Sequence, residues 1–181
     1  EFVSAISKAE LDPNRVIELG IVDQEAAHNL VGVTHELVDI LMYLKPEVIF
    51  THPFEYGHPD HDAAAFCVKA AVKNMAKWHK PEVIEFTSYF NDAGLLAAGR
   101  FRPGSGTAGK QAMLGPGQAQ LKCSMLRCFG TQKKVLEYFP LQMERFRAAG
   151  EYDFSASAPA DGAYYDIFEW GLKSSQWSVL V

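Results

Sequence analysis

An α/β protein is predicted, with a Rossmann-like, mainly parallel sheet and flanking helices, from three observations on this 181-residue sequence. Apolar residues recur at helical spacing over 30–44 and again over 62–79. Short β-branched and aromatic runs occupy 46–51 and 83–90. The two kinds of segment alternate, and such alternation implies parallel strands joined by right-handed helical crossovers.

Taken in order, 2–6 reads as a strand remnant, Asp12-Pro-Asn14 as a turn, and Gly20 to Asp23 as a loop entering the next element. Leu30, Val33, Leu37, Ile40, Leu41 and Leu44 form one stripe that Pro46 closes, which predicts an amphipathic helix packed on the sheet. His35 lies off that stripe and His28 sits near the preceding turn, so both are expected in solvent. The run 46–51 is bounded by Pro and reads as a buried strand. Helix 62–79 follows, with Ala63, Phe66, Cys67, Ala70, Ala71, Met75 and Trp78 inward and His79 as a dipole partner at its end. Segment 83–90 is the next strand. The stretch 91–117 holds seven glycines and two prolines and is expected to be a lid or a hairpin-bearing excursion. Its Gly104-Ser-Gly-Thr-Ala-Gly109 lacks the Gly-Lys-Ser/Thr that a phosphate-binding loop requires. Helices are predicted over 118–129 and 131–139, with a further helical turn from Pro140 to about 149. Glu144, Arg145 and Arg147 would form surface ion pairs there, and Lys122, Arg127, Lys133 and Lys134 a solvated basic face. A last edge strand is expected over 163–170, its aromatics covering the core or lining a sugar site.

Composition narrows the function classes. An apolar fraction of 48% and a charged fraction of 22% suit a globular chain, and the length suits one domain over 1–181. A net charge of −5 and a pI near 5.7 argue against a nucleic-acid or anionic-membrane surface. No apolar run approaches the ~20 residues of a membrane span. Cys67, Cys123 and Cys128 lack paired spacing and are expected as reduced thiols, in keeping with a cytoplasmic setting. The expected partner is a small molecule, and a homo-oligomer is left open.

The chemistry concentrates in Thr51-His-Pro-Phe-Glu-Tyr-Gly-His-Pro-Asp-His-Asp62, which holds three of the six histidines. It lies between a predicted strand and a predicted helix, on the side of an α/β sheet where ligands bind. Pro59 suits the first helical turn, and Asp60 complements the free N–H groups there. His58 and His61, three apart, would project from the same side. Imidazole serves both as a metal ligand and as an acid or base near neutrality. The same residues would equally cap the helix and bond each other.

With its flanks, this stretch resembles the second signature of the LmbE-like (PIG-L) N-acetylglucosaminyl deacetylases, a zinc-dependent family with a Rossmann-like fold. The likeness extends through Leu19-Gly-Ile-Val-Asp-Gln24, Cys128-Phe-Gly-Thr-Gln132, Glu144-Arg-Phe-Arg147 and Tyr152-Asp-Phe154. The family's first signature, Ala-His-Pro-Asp-Asp-Glu, does not occur here. The resemblance therefore implies that the chain lacks N-terminal strand and helix units carrying two zinc ligands and the base carboxylate.

By that resemblance, His61 is a ligand to Zn2+, and His58 is the histidine that stabilises the tetrahedral intermediate or protonates the leaving amine. Asp60 would orient or charge an imidazole, and Asp23 would contact sugar hydroxyls, although as a residue type Asp23 reads equally well as a helix cap. Tyr56 falls where some relatives place a mobile tyrosine and others a glycine. The implied reaction is removal of the acetyl group from an N-acetylglucosamine-type sugar conjugate, with weak zinc binding and little activity expected of these residues alone. Two alternatives are another metal-dependent amide or thioester hydrolase, and a metal-free carbohydrate-binding or regulatory relative.

Overall fold

The computed structural model describes residues 1–75 and 80–181. Trp78 and His79, expected at the end of the second long helix, lie outside the described residues. Helix α1 (Phe2–Lys8) opens the chain where a strand remnant was expected; Ala5 and Ile6 bury its inner side. The Asp12 carboxylate accepts from the Asn14 N–H and starts a 3-10 turn at Pro13–Arg15. A second 3-10 turn, Ala26–Asn29, leads into α2 (Leu30–Leu44), which ends at Lys45 in the left-handed region directly before Pro46.

Strand β1 (Val48–Thr51), helix α3 (Pro59–Asn74) and strand β2 (Glu82–Phe86) then form the expected strand-helix-strand unit. β1 and β2 pair in parallel, with Ile49 opposite Val83. Leu37, Leu41, Ala71 and Met75 join α2 to α3 and meet Ile49 on one face of the sheet. The predicted strand 83–90 breaks at Thr87-Ser88, and its second half becomes β3 (Tyr89–Asp92), paired with β4 (Leu95–Ala98) in a separate antiparallel hairpin. Ala93 and Gly94, both at positive φ, make its two-residue turn.

Beyond this unit the sheet departs from expectation. β5 (Lys110–Met113) is followed by α4 (Pro116–Leu126), α5 (Lys133–Leu136) and β6 (Met143–Ala148). β6 lies antiparallel to both β2 and β5, so the order is β1-β2-β6-β5 and the sheet is mixed, with one parallel pair and two antiparallel ones. The connection between β5 and β6 folds back to pair Met113 with Met143 instead of crossing over, which is why these strands do not run parallel.

The helix expected from Pro140 to about 149 is thus a strand, and the surface ion pairs expected there are corrected with it. Alternation along β6 turns Arg147 inward, where it is 4% exposed. Its Nε donates to Glu85 at 2.7 Å and one Nη to Glu55 at 3.2 Å. The guanidinium also lies over the Phe101 ring, 3.9 Å from its centroid. Lys122 is not simply solvated either, since it donates to the Pro140 carbonyl and pairs with Glu144. Over 163–170 there is a 3-10 turn, Tyr164–Ile167, in place of an edge strand.

The principal core is built around the histidine-bearing loop. Phe54 and Tyr56 sit at its centre with Tyr165, Leu172 and Trp177, the last on α6 (Ser174–Leu180). The Phe54 ring contacts those of Tyr152, Phe154 and Trp177 at centroid distances of 5.8, 4.9 and 5.4 Å. The aromatics of the C-terminal third therefore brace the loop from behind. Cys67 is buried and its thiol faces the Leu30 carbonyl; all three cysteines are free.

The buried charges set one expectation for stability. Removing the guanidinium leaves Glu55 and Glu85 buried without their cation, so Arg147→Ala is expected to lower unfolding free energy by about 3–5 kcal/mol. Lys133→Ala, which removes an exposed pair with Glu137, is expected to change it by under about 0.5 kcal/mol. Urea unfolding of the two variants beside the parent measures both; equal small losses would show that Arg147 is not the hub described.

Candidate functional site

The loop between β1 and α3 is shaped by two carboxylates that the helix holds two residues apart. Asp62 is fully buried and accepts from the backbone N–H groups of Glu55 and Tyr56 at 3.2 and 3.0 Å. This closes the loop on itself and supports Tyr56 at φ 58°, in the left-handed region. Asp60 reaches the other way and accepts from Gln24 N–H at 2.7 Å and Ala26 N–H at 3.1 Å. It thereby fixes the 23–26 segment beside the loop. Gly57 makes the third constraint: a Cβ at this residue would lie 1.8 Å from the Tyr89 carbonyl oxygen, so only glycine allows the loop to meet β3.

These constraints put His52, His58 and His61 around one cavity of about 360 Å3, with Asp23, Asp60, Phe86, Thr87, Ser88 and Tyr89. Its opposite wall comes from 126–139: Leu126, Phe129, Gln132, Val135, Leu136 and Phe139. The expectation that the histidines share a strand-to-helix loop opening on a cleft is met. Pro59 is the first residue of the helix, as expected, and His58 is its N-cap.

His58 has a defined protonation pattern. Its Nδ1 accepts from the Asp60 N–H at 3.2 Å, and a backbone N–H can only donate. The neutral ring therefore carries its proton on Nε2, which faces Asp23 Oδ1 across 3.9 Å. That gap exceeds a hydrogen bond and leaves room for a bridging oxygen. Burial lowers the pKa of His58, while Asp60 and Asp23 oppose the shift. Asp60 thus acts on His58 twice, through its N–H and through its charge.

His61 is held more tightly. Its ring stacks on His52 at 3.8 Å and 4°, meets the edge of Tyr89 at 5.4 Å, and places Nδ1 2.8 Å from Ser88 Oγ. Burial, reinforced by the neighbouring His52 and His58, lowers its pKa well below the ordinary value, which keeps the imidazole neutral and its lone pair available. Burial also brings the pKa of His52 down to about 4, and its Nδ1 is buried with no hydrogen-bond partner among the described residues.

The remaining expected residues fall as follows. Asp23 is not a helix cap, because Glu25 occupies that position before Ala26–Asn29; its side chain is 71% exposed at the cavity mouth. Tyr56 is not brought to the cavity: its ring is in the core and its hydroxyl donates to the Ala156 carbonyl at 2.9 Å. No residue of 91–117 lines the cavity. His28 and His35 are exposed, as expected. Trp170, whose ring centroid is 4.9 Å from that of His58, brings one aromatic of the C-terminal segment to the rim.

Four contributors were not singled out beforehand. His52 lay inside the motif without a role, whereas Thr87, Ser88 and Tyr89 follow the end of a strand, the place in an α/β sheet where ligand groups collect.

Metal-binding capacity has one further geometric expression. Asp23, His58 and Asp60 each bring a ligand atom to within 4.8 Å of the others, the one such group of three found among the described residues. His58 Nδ1 and both Asp60 oxygens already accept backbone N–H groups, so this group is knit by hydrogen bonds.

Residues 1–72 match the family model described as PIG-L: GlcNAc-PI de-N-acetylase. The matched segment contains Asp23 and the whole loop with its three histidines. The resemblance to PIG-L deacetylases is thereby borne out over those residues. No match was found among curated proteins or solved structures.

Two outcomes test this geometry. The unfolded chain protonates residue 52 below about pH 6.5, whereas the folded ring resists until about 4, so stability is lost as pH falls across that interval. His52→Phe keeps a flat ring without a titrating nitrogen and is expected to recover about 2 kcal/mol relative to the parent at pH 4.5, compared with pH 7.5. Urea unfolding at the two pH values checks this, and parallel pH dependences for parent and variant would contradict it. Gly57→Ala forces its methyl into the Tyr89 carbonyl and is expected to cost about 1–3 kcal/mol by the same measurement.

Proposed function

We propose that this chain, with its PIG-L segment over residues 1–72, removes the acetyl group from an N-acetylglucosamine-type sugar conjugate by zinc-assisted amide hydrolysis. The observation that carries the reading is the division of labour between two histidines three residues apart. His58 is committed by the Asp60 N–H to presenting Nε2–H as a donor. His61 is neutral, shielded and held by its Nδ1 side against Ser88.

The donor chemistry fits a divalent cation at His61. A neutral imidazole with one nitrogen engaged by a neighbour is the usual protein ligand for such an ion. His61 would hold it through Nε2. When bound, the ion supplies Lewis acidity and a water acidified to a pKa near ~7. In this reading His61 contributes one ligand; among the described residues no group of three candidate donors includes it.

The other residues act on the substrate. The Nε2–H of His58 can donate to the carbonyl oxygen as it gains charge. The Asp60 N–H keeps that ring in the required orientation and tautomer. Asp23 faces the same nitrogen across a gap that a sugar hydroxyl can fill, and its carboxylate is an acceptor only. Trp170 offers a flat apolar surface beside His58 for a sugar ring. Phe129, Val135, Leu136 and Phe139 limit water on the far side. Water adds to the carbonyl carbon, the proton it gives up goes to the amine nitrogen as the C–N bond breaks, and acetate and the free amino sugar are released.

The test is release of acetate together with a free amine from a panel of N-acetylated sugars, supplied with Zn2+. His58→Ala is expected to lower kcat by about 100- to 1,000-fold while leaving zinc affinity close to the parent's. His61→Ala is expected to remove the zinc dependence altogether. Acetate release that survives both substitutions, or that is indifferent to Zn2+, would sink the reading.

A further inference from the structure

Ser88 lies in the cavity outside the matched segment, and no role in the reaction has yet been given to its hydroxyl. It is 4% exposed and sits in the break between β2 and β3. Its backbone carbonyl accepts from the Gly99 N–H, which fixes its position at the hairpin. Its hydroxyl is 2.8 Å from His61 Nδ1, and no other partner of that hydroxyl is found among the described residues.

The chemistry of this contact is restrictive. A neutral imidazole has one N–H and one lone pair. Either His61 donates from Nδ1 to the hydroxyl and keeps its lone pair on Nε2, or the hydroxyl donates to Nδ1 and Nε2 carries the proton. Only the first arrangement lets Nε2 hold a cation. Once Nε2 is engaged, the proton must sit on Nδ1, inside a packed wall, and it then needs an acceptor. The His52 ring stacked on one face and the Tyr89 edge oppose rotation of His61 toward another acceptor. Ser88 Oγ is the acceptor within reach.

We propose that Ser88 is a positioning residue of the site: its hydroxyl accepts the Nδ1–H of His61 and so directs the Nε2 lone pair into the cavity. The proposal rests on reading His61 as the cation ligand. It adds a residue from the strand end to the roles so far given to polar groups of the loop and to Asp23. The break at Thr87-Ser88 is what permits this, since an uninterrupted strand would alternate residues 86 to 89 across the two sheet faces and would not set Phe86, Thr87, Ser88 and Tyr89 around one cavity.

The experiment has a metal-free arm and a metal-bound arm. Long-range 1H–15N NMR on the labelled protein reads which His61 nitrogen is protonated, first without metal and then with saturating Zn2+. Competition against a chelating indicator gives the zinc affinity of the parent, Ser88→Ala, Ser88→Thr and His61→Ala. Protonation at Nδ1 is expected in the zinc-loaded parent, with Ser88→Ala weakening zinc binding by about 10- to 100-fold and Ser88→Thr, which retains the hydroxyl, restoring it. In a His61→Ala background, adding Ser88→Ala is expected to weaken binding no further. Protonation at Nε2 in the zinc-loaded protein overturns the proposal, as does an affinity that falls in His61→Ala but not in Ser88→Ala. An affinity unchanged in His61→Ala overturns the ligand reading itself and the role of Ser88 with it. If Ser88→Ala does not fold, the protonation state of the parent and the affinity of Ser88→Thr decide the question.

Discussion

The fully buried carboxylate of Asp62 is the constraint on which the rest of the architecture depends. Its two backbone hydrogen bonds turn the chain between Phe54 and Pro59 back toward the start of α3. Without that closure, the Tyr56 backbone would have no local support for its left-handed conformation. Burial raises the pKa of this carboxyl well above the ordinary value, against the opposing effect of the N–H donors. The aromatics behind the loop, Tyr165 and Trp177 among them, supply the apolar surroundings that make the group both costly to bury and hard to reach with water.

A second carboxylate-centred device holds the Gly-rich excursion. Glu55, next to the loop's left-handed residue, accepts from the Arg102 N–H and the Ser105 hydroxyl, each at 2.8 Å, and shares Arg147 with Glu85. Tyr152 donates to Glu85 at 2.6 Å and completes the cluster. The middle of the excursion is therefore tied to the back of the loop, and none of its residues lines the cavity. The cavity wall is formed instead by α4, α5 and the residues between and after them, elements without a single fully buried side chain. Loop backing and cavity wall thus differ sharply in how firmly they are held.

Much of the central unit was legible because local signals agreed with one another. The α2 stripe, Pro46 and the placement of Pro59 each named the structure that formed. The same agreement located the histidine loop and foretold that His58 and His61 would share one cavity. Failures came where two periods compete within a short run. Met143 to Ala148 carries charges at helical and strand spacing alike, and pairing with β2 and β5 decided for a strand. The inward turn of Arg147 then followed from partners 62 and 92 residues away, which no local pattern contains. Likewise, the break after Phe86 depends on the hairpin that Tyr89 enters, and Ser88 gained its place in the cavity only through that long-range choice. Asp23 needed the Asp60 clamp on Gln24 and Ala26 before its carboxylate could face His58.

The absence of a side chain at residue 57 has a bearing on how sequences of this kind can drift. The loop touches β3 through backbone on both sides, so neither partner has a rotamer with which to absorb a change. Insertions, deletions and substitutions at that point displace the imidazoles and the hairpin together, and compensation cannot come from repacking nearby. Substitutions around Asp23 and along 126–139 meet no such limit, because side chains there are exposed or half-buried and can rotate.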